Sequence, residues 1–375
     1  MKVAVLGAGM VGRGIAIDLS KSHKVKSFDI SEANLDLLNG RANINTARAD
    51  LVQYSAYKTL LKDFDIVVNA VPGFMGYKTL EAIIFSKKDV VDISFFPENA
   101  LDLDFIAKEN GITAIVDCGV APGMSNLVLG YHNSRMKIES FECMVGGLPK
   151  KRVKPFEYKA PFSPVDVMEE YTRPARMVED GKIVTKPALS DAEIVDMKNA
   201  GYLEAFNTDG LRSILFTMKH IPDMKEKTLR YPGHIDLIKS MIQAGFFDTK
   251  ELVVNDQKIR PIDFTSSLLV DQWKLLPGEE EFTVMKILIR GFMDGKLYTI
   301  EYFLYDEYDK ATNATSMSRT TGYTCTAAVN LVLNKLFTSK GVFPPELIGA
   351  DEKCFDFIMK YLEERNVRFE KTIKQ

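Results

Sequence analysis

Residues Lys2 to Asp29, KVAVLGAGMVGRGIAIDLSKSHKVKSFD, decide the fold of this chain. The stretch opens with an apolar run, Val3 to Leu6, which predicts a buried strand. A glycine-rich segment, GAGMVG, occupies residues 7–12, and a helix is predicted from about Met10 to Ser20. A second strand, from Val25 to Phe28, completes the unit. Strand, glycines, helix and strand in this order are typical of a dinucleotide-binding βαβ unit.

The three glycines of this segment have separate structural roles. Gly7 permits the tight turn after the strand, Gly9 lets the backbone approach a pyrophosphate, and Gly12 lets the helix lie close to the strand. The helix N-terminus adds free N–H groups and the positive end of a dipole, and both favour phosphate. The alternative is a glycine-rich turn that binds nothing, but the complete order of elements favours a cofactor site.

Asp29, at the end of the second strand, bears on the choice of cofactor. Its carboxylate can accept hydrogen bonds from both ribose hydroxyls of NAD and would repel the 2′-phosphate of NADP. The next residues, Ile30 and Ser31, provide no arginine for that phosphate. The sequence therefore favours NAD over NADP, although Lys24 and Lys26 lie close by in sequence.

The bulk composition excludes several classes of function. A net charge of −3, from 48 basic and 51 acidic residues, argues against a nucleic-acid partner. The N-terminus enters a strand at once, and no apolar run approaches the roughly 20 residues of a membrane span, so we expect neither a signal peptide nor a membrane partner. The cysteines and histidines show no metal-ligand spacing. We therefore expect no metal, and reduced thiols in a cytoplasmic protein.

Alternating strands and helices continue through the first third of the chain. Further strands are predicted at residues 44–49, 66–70, 90–93 and 112–116, with helical stretches between them. This pattern predicts an α/β fold with a Rossmann-type, doubly wound parallel sheet that is covered on both faces.

The pattern changes after about residue 125. Strand-like runs at 140–145, 282–290 and 297–305, with the hairpin signal Asp294-Gly295, predict an inserted α+β domain with a mostly antiparallel sheet. The chain turns helical again from residue 318, and we expect these helices to return to the first domain. We therefore predict an NAD-binding domain of residues 1–125 with 318–375, and a catalytic domain of residues 126–317.

Ligands of doubly wound folds bind at the carboxyl ends of the parallel strands. Residues at those ends are therefore the candidates for cofactor binding. They are Gly7, Ala8, Gly9, Met10, Val11, Gly12, Asp29, Ile30, Asp50, Ala70, Val71, Pro72 and Ser94.

Three further stretches carry side chains suited to substrate chemistry. The segment Asp117 to Asn126 follows the last predicted parallel strand, where it would lie beside the nicotinamide unless it is an ordinary connection between domains. Thr228 to His234 is predicted as a loop that offers an arginine as a carboxylate clamp and a histidine as a proton carrier. Ser318 to Gly322 offers an arginine and hydroxyls before a helix. Helix capping alone is the alternative for the last two.

Together these stretches resemble the saccharopine dehydrogenase superfamily, and within it the lysine 6-dehydrogenase branch. The resemblance spans nearly the whole chain in the expected order. It rests on Gly7–Gly12 with Asp29, Asn69–Gly73, Asp117–Gly123, Gly146–Pro149, Glu204–Phe206 with Thr208–Gly210, Thr228–His234 and Arg319–Thr321. It implies a Rossmann domain that includes the C-terminal helices, with an inserted catalytic domain.

The resemblance also implies NAD-dependent oxidative deamination of the side-chain amine of L-lysine. A hydride leaves Cε, the imine is hydrolysed to an aldehyde, and the aldehyde can cyclise with the α-amine. The amine must first lose its proton, and a free lysine amine has a pKa of ~10.4, so a base is needed. The alternatives are a saccharopine dehydrogenase or reductase acting on a secondary amine, and a non-catalytic NAD-binding protein.

The candidate residues for this chemistry follow from side-chain type and position. Asp117 is the first candidate for the group that holds the amine, and His234 is the candidate base. The candidate substrate-binding residues are Gly119, Gly146, Gly147, Arg230, Arg319 and Thr320. We expect a small amino-acid substrate and a homo-oligomer, with a dimer favoured.

Overall fold

The computed structural model describes residues 1–375, apart from the side chain of Val165. The strands, numbered in chain order, are β1 (Lys2–Leu6), β2 (Lys24–Asp29), β3 (Ile44–Arg48), β4 (Ile66–Asn69), β5 (Asp89–Asp92), β6 (Thr113–Ile115), β7 (Lys137–Pro149), β8 (Ala175–Glu179), β9 (Lys182–Lys186), β10 (Glu193–Met197), β11 (Gly201–Asn207), β12 (Asp223–Arg230), β13 (Leu252–Val254), β14 (Gln257–Ile259), β15 (Glu281–Met293), β16 (Lys296–Glu307), β17 (Gly341–Phe343) and β18 (Phe369–Lys374).

The helices are numbered in the same way. They are α1 (Met10–Leu19), α2 (Glu32–Asp36), α3 (Tyr57–Leu60), α4 (Gly73–Phe85), α5 (Asp104–Glu109), α6 (Met124–Asn133), α7 (Pro164–Thr172), α8 (Ile214–Thr217), α9 (His234–Gln243), α10 (Pro261–Trp273), α11 (Ser316–Leu333), α12 (Pro345–Gly349) and α13 (Glu352–Glu363). In the described part of the chain, no helix combines the length and the apolar character needed to cross a membrane.

The first sheet is parallel and has helices on both faces. Its strand order is β17-β6-β5-β4-β1-β2-β3, and neighbouring strands are parallel throughout. Alternate residues of β1 enter two different apolar clusters. Val3 and Val5 pack in the cluster that includes Ile15 of α1, whereas Ala4 and Leu6 pack in the cluster that includes Leu80 of α4. The predicted Rossmann-type, doubly wound sheet is confirmed.

The second sheet is mixed and largely antiparallel. Its main path is β10-β11-β12-β7-β15-β16-β18, with β8 and β9 attached to β12. Its neighbouring strands are antiparallel except for β7 and β12, which run parallel. The hairpin between β15 and β16 turns at Asp294 and Gly295, as the sequence predicts. The predicted second sheet is therefore confirmed.

The C-terminal segment contacts both sheets. Helix α11 packs on α1, and the side chain of Arg365 donates to the buried carboxylate of Asp18 at 2.9 Å. Strand β17 joins the parallel sheet, but β18 pairs with β16 of the second sheet. The division into residues 1–125 with 318–375 and residues 126–317 stays a prediction.

Two predicted loops belong to regular elements instead. Thr228 to Arg230 is the end of β12, because the alternation in EKTLR at residues 226–230 suits an extended chain with two different faces. Arg319 and Thr320 lie inside α11, which begins at Ser316 because the Thr315 side chain accepts a hydrogen bond from the Ser318 N–H and caps the helix.

Candidate active site

A crevice with a volume of about 1510 Å³ lies where the carboxyl ends of the parallel strands face the second sheet. One end is formed by the glycine loop of residues 7–12 and by the ends of β2 and β4. The other end is formed by β7, β12 and α7. Residues of both sheets therefore line the same crevice.

The glycine loop fits a dinucleotide. A Cβ atom on Gly12 would lie 2.2 Å from the carbonyl oxygen of Gly7, so only glycine allows the helix to approach the turn this closely. A Cβ atom on Gly9 would meet no described atom within 4 Å, because this residue faces the open crevice. The backbone of the loop is therefore exposed where a pyrophosphate would lie, and α1 begins at Met10, directly behind it.

Asp29 is fixed by two backbone hydrogen bonds at this end of the crevice. One carboxylate oxygen accepts from the Ala8 N–H at 2.7 Å, and the other accepts from the Ser31 N–H at 2.8 Å. The side chain is therefore pre-oriented at the end of β2, as a ribose-binding carboxylate requires. Two arginines that the sequence did not single out, Arg13 and Arg41, also line this end.

Most of the predicted site residues line the crevice. They are Gly7, Gly9, Met10, Val11, Gly12, Asp29, Ile30, Asp50, Ala70, Val71, Pro72, Ser94, Asp117, Gly119, Gly146, Gly147 and Arg230. Ala8 is buried behind the loop and contributes its N–H to Asp29. His234, Arg319 and Thr320 do not contribute to the crevice wall.

Asp117 is paired with a buried arginine. Its carboxylate accepts from Nε of Arg212 at 3.0 Å and from Nη2 at 2.7 Å. The side chains of Asp117 and Arg212 are only 3% and 4% exposed, so water does not screen the pair. The guanidinium also lies 5.0 Å from the ring centroids of Phe95 and Phe96. Arg212 therefore fixes the orientation of the Asp117 carboxylate at the crevice wall.

Arg230 also has protein partners. Its Nε donates to the hydroxyl of Tyr171 at 2.9 Å, its Nη1 donates to the carbonyl of Leu229 at 2.9 Å, and its Nη2 pairs with Glu170. The guanidinium lies 4.2 Å from the ring centroid of Tyr158. Burial raises the pKa of Glu170, and the charge of Arg230 opposes that rise. The predicted carboxylate clamp is thus already engaged with a glutamate.

His234 lies beneath this arginine, away from the crevice. Its Nδ1 is 2.9 Å from the carbonyl of Phe156 and must donate to it, so Nε2 accepts from Tyr171 at 2.9 Å. Burial, with the nearby charge of Arg230, lowers the pKa of His234 to about 3. The ring is neutral and packs among aromatic side chains such as Trp273. Its position does not support the direct proton transfer predicted for it.

Arg319 and Thr320 have structural partners inside the protein. Arg319 donates to the carbonyl of Glu307 at 2.9 Å and to the Asp306 carboxylate at 3.2 Å. The Thr320 hydroxyl donates to the carbonyl of Ser316 within α11 at 3.0 Å. These positions do not support the substrate contacts predicted for the two residues.

The structure adds Glu226, which sequence reasoning missed, to the crevice wall. Glu226, Thr228 and Arg230 are alternate residues of β12, and all three line the crevice. A polar residue at every second position of a strand is the signal that could have pointed to Glu226. The assignment of Thr228 to His234 to a loop concealed this pattern. Arg173, which directly follows α7, also lines the crevice, and its Nη1 is buried without a hydrogen-bond partner among the described groups.

The parallel sheet, its glycine loop and the adjoining crevice define a Rossmann-type dinucleotide-binding protein. Two family models match the chain. The model of the saccharopine dehydrogenase NADP binding domain matches residues 3–115, and that of the saccharopine dehydrogenase C-terminal domain matches residues 119–367. The chain belongs to the saccharopine dehydrogenase family, which confirms the predicted superfamily.

Three relatives illustrate the range of this similarity. The mitochondrial alpha-aminoadipic semialdehyde synthase of Rattus norvegicus is 25% identical over 263 residues, which are 66% of this chain and 28% of that protein. The carboxyaminopropylagmatine dehydrogenase of Synechocystis sp. is 22% identical over 389 residues, 93% of both chains. The structure of apo saccharopine dehydrogenase (L-Glu forming) from Saccharomyces cerevisiae matches with a TM-score of 0.80 at 22% identity, covering 100% of both chains. That match shows the fold.

Proposed function

We propose that this protein is an NAD-dependent amine dehydrogenase that oxidatively deaminates the side-chain amine of L-lysine. The observation that carries the proposal is the single crevice that joins the glycine loop to a wall of buried carboxylates, including Asp117 and Glu226. A carboxylate wall suits a cationic amine, and the glycine loop suits the cofactor beside it. When bound, the nicotinamide would accept a hydride from the carbon that carries the amine.

The proposed cofactor is NAD because of the position of Asp29. Its carboxylate is held at the end of β2 by two N–H groups, where it can accept from the ribose hydroxyls. A 2′-phosphate there would meet the same negative charge. Arg13 and Arg41 at this end of the crevice are the groups that would favour NADP instead.

The substrate carboxylate has a better candidate partner than Arg230. Arg176 and Arg212 are already paired with Asp209 and Asp117. Arg173 pairs with Glu169 through Nη2, but its Nη1 has no described partner. We therefore assign the carboxylate contact to Arg173, and a positioning role to Arg230 through Glu170 and Tyr171.

A saccharopine dehydrogenase is the second candidate function. Saccharopine has three carboxylates, and the two arginines that line the charged end of the crevice, Arg173 and Arg230, favour an anionic ligand. Arg230 is paired with Glu170, whereas Nη1 of Arg173 has no described partner, which favours a substrate with one carboxylate. The name of the Synechocystis relative extends the candidate substrates to carboxylated polyamine-like amines.

Reduction of NAD with a panel of amines tests these alternatives. The purified protein is assayed for NADH formation with lysine, saccharopine, ornithine and carboxyaminopropylagmatine. We expect the highest kcat/KM with lysine. A preference for saccharopine or the agmatine derivative would replace lysine as the substrate, and NAD binding without turnover of any amine would overturn the enzymatic proposal.

Two arginine variants then distinguish the clamp from the positioning residue. Arg173→Ala should raise KM for lysine by about 10- to 100-fold with a small change in kcat, because a lost charge-assisted hydrogen bond costs about 1.5–3 kcal/mol. Arg230→Ala should lower kcat and thermal stability together, because it leaves Glu170 buried without its cation. The reverse pattern would return the clamp to Arg230.

A further inference from the structure

Glu226 is a buried carboxyl group at the crevice wall. It lies on β12, and its side chain belongs to the crevice-facing row that also contains Thr228 and Arg230. Glu226 is only 6% exposed, and no described group forms a hydrogen bond with its carboxyl oxygens. A carboxylate that is buried without a partner is costly, and it is stabilised when a ligand brings a complementary cation.

The groups around Glu226 make its environment predominantly acidic. Glu170 of α7, Asp209 after β11 and Asp117 after β6 oppose its ionisation, whereas Arg212 favours it. Burial and these carboxylates raise the pKa of Glu226 to about 8. The group can therefore exchange a proton close to neutral pH, as a general base must.

Gly210 provides the space for the Glu226 carboxyl. A Cβ atom at residue 210 would lie 1.8 Å from Oε1 of Glu226. A side chain at this position would push the end of the flexible glutamate away without meeting backbone first. The orientation of the carboxyl toward the crevice thus depends on the glycine of the Thr208-Asp209-Gly210 stretch.

Two other candidates for a base are less suitable. The Asp117 carboxylate is occupied by two N–H groups of Arg212. His234 is neutral, hydrogen bonded through both ring nitrogens, and does not line the crevice. Glu226 instead has no described hydrogen-bond partner for its carboxyl group, and it lines the crevice.

We propose that Glu226 is the base that accepts a proton from the ammonium group of the amine substrate. This inference rests on the proposed amine dehydrogenase function. The N–H bond of the ammonium breaks, its proton joins the Glu226 carboxylate, and the electron pair stays on nitrogen. That pair forms the C=N double bond as the adjacent C–H bond breaks, and the two electrons of the C–H bond pass to NAD⁺ with the hydrogen.

Glu226→Gln tests this role in the full-length protein with NAD and lysine. We expect kcat to fall about 100- to 10,000-fold, the usual range for loss of a general base. The wild-type kcat/KM should rise with pH through about 8, the pKa of Glu226, and this step should be absent from the variant. Activity of the variant should recover steadily toward pH ~10.4, where the free amine needs no base.

Two further variants separate chemistry from folding. Gly210→Ala should lower kcat by displacing the carboxyl, while the pH step is retained. Glu281→Gln is the matched control, because Glu281 is a fully buried glutamate with a pKa raised by burial to about 8, but it lies outside the crevice and accepts from Ser316 N–H. We expect the activity and pH profile of this control to match the wild type.

The outcomes also separate this inference from the function on which it rests. A wild-type protein without turnover on any amine would overturn both. Wild-type turnover together with an unchanged kcat and pH profile in Glu226→Gln would overturn only the role of Glu226. A fall in kcat without high-pH recovery would show that the residue is structural, which also contradicts a base.

Discussion

The two ends of the crevice recognise ligands by different physical means. At the glycine end, the positions of the backbone atoms follow from close packing of Gly7 and Gly12, and the Asp29 carboxylate is held by N–H groups. At the other end, the wall consists of buried and half-buried charged side chains, such as Glu226 and Arg173 respectively. The first end is therefore fixed by geometry, whereas the charge of the second depends on protonation and on pairing.

The largest effect should come from the buried ion pair at the charged end. Asp117→Asn removes one partner of the Arg212 pair and should destabilise the protein by about 3–5 kcal/mol, because the arginine remains buried without compensation. We also expect kcat to fall more than the affinity for substrate. Chemical denaturation and steady-state kinetics measure the two effects.

A surface pair in which an arginine donates to an aspartate through the same two nitrogens, Nε and Nη2, provides the control. Asp263 accepts from Arg260 at 2.7 Å through both oxygens, but both side chains are more than half exposed. Asp263→Asn should lower the stability far less than Asp117→Asn, because water screens the exposed pair. Equal losses in the two variants would contradict the idea that burial makes the crevice pair different.

The next effect concerns the loss of stability as the pH rises from 6.5 to 8. Burial raises the pKa of Glu226 from 4.5 to about 8, so the folded protein retains a proton that the unfolded chain has released. The resulting stabilisation is complete below pH 4.5 and is lost as the pH rises toward 8. His234 does not counter this trend above pH 6.5, its ordinary pKa, because it is then neutral in both states. The free energy of unfolding should therefore fall between pH 6.5 and 8.

Glu226→Gln isolates the contribution of this group. In this variant, the free energy of unfolding should fall less steeply with pH. The difference in slope should be up to about 1.4 kcal/mol per pH unit, the value for one proton. A residual slope should remain from Asp92 and Glu281, whose pKa values burial raises to about 7 and about 8. Urea denaturation at closely spaced pH values provides the measurement, and identical slopes in variant and wild type would show that Glu226 is already ionised.

At the glycine end, geometry rather than charge should decide the outcome. Gly12→Ala places a Cβ 2.2 Å from a backbone oxygen and should destabilise the cofactor-free protein by about 1–3 kcal/mol, as overpacking does. Gly9→Ala should leave that stability unchanged and weaken NAD binding alone. Thermal unfolding without cofactor and a binding titration separate the two glycines, and equal stability losses would contradict their different roles.

The smallest effect should be a change in cofactor preference. Asp29→Ser combined with Ile30→Arg removes the carboxylate and supplies a cation for the 2′-phosphate, so NADP should gain about 10-fold over NAD, roughly 1.4 kcal/mol. Binding of both cofactors to the wild type is the reference. A wild type that already prefers NADP would assign the dominant role to Arg13 and Arg41.

The glycine end could be predicted because its signal is local. The strand, the three glycines and Asp29 fall within residues 2–29, and each acts on neighbours in sequence or on the adjacent β4. Buried parallel strands such as β1 and β4 also appear as short apolar runs. Strands β1 to β6 of the first sheet therefore occur within a few residues of their predicted positions, whereas its edge strand β17 was not predicted.

The charged end could not be predicted in the same way, because its residues depend on distant partners. The environment of Asp117 is set by Arg212, and that of Arg230 by Glu170, so side-chain type alone revealed neither pair. The sequence placed His234 in the site because an imidazole can carry a proton. In the structure, its ring packs against Trp273 and Tyr158 and does not line the crevice. Glu226 was missed because Thr228 to His234 was assigned to a loop, which hid the strand whose alternate polar residues include Glu226.

The last two strands have a consequence for synthesis of the chain. Residues 341–343 complete one edge of the parallel sheet by pairing with β6, and residues 369–374 complete an edge of the second sheet by pairing with β16. A ribosome has therefore translated more than nine-tenths of residues 1–375 before either edge is covered. Nascent chains that stall before residue 341 should present two open β-edges at once, a state in which chaperone binding competes with aggregation.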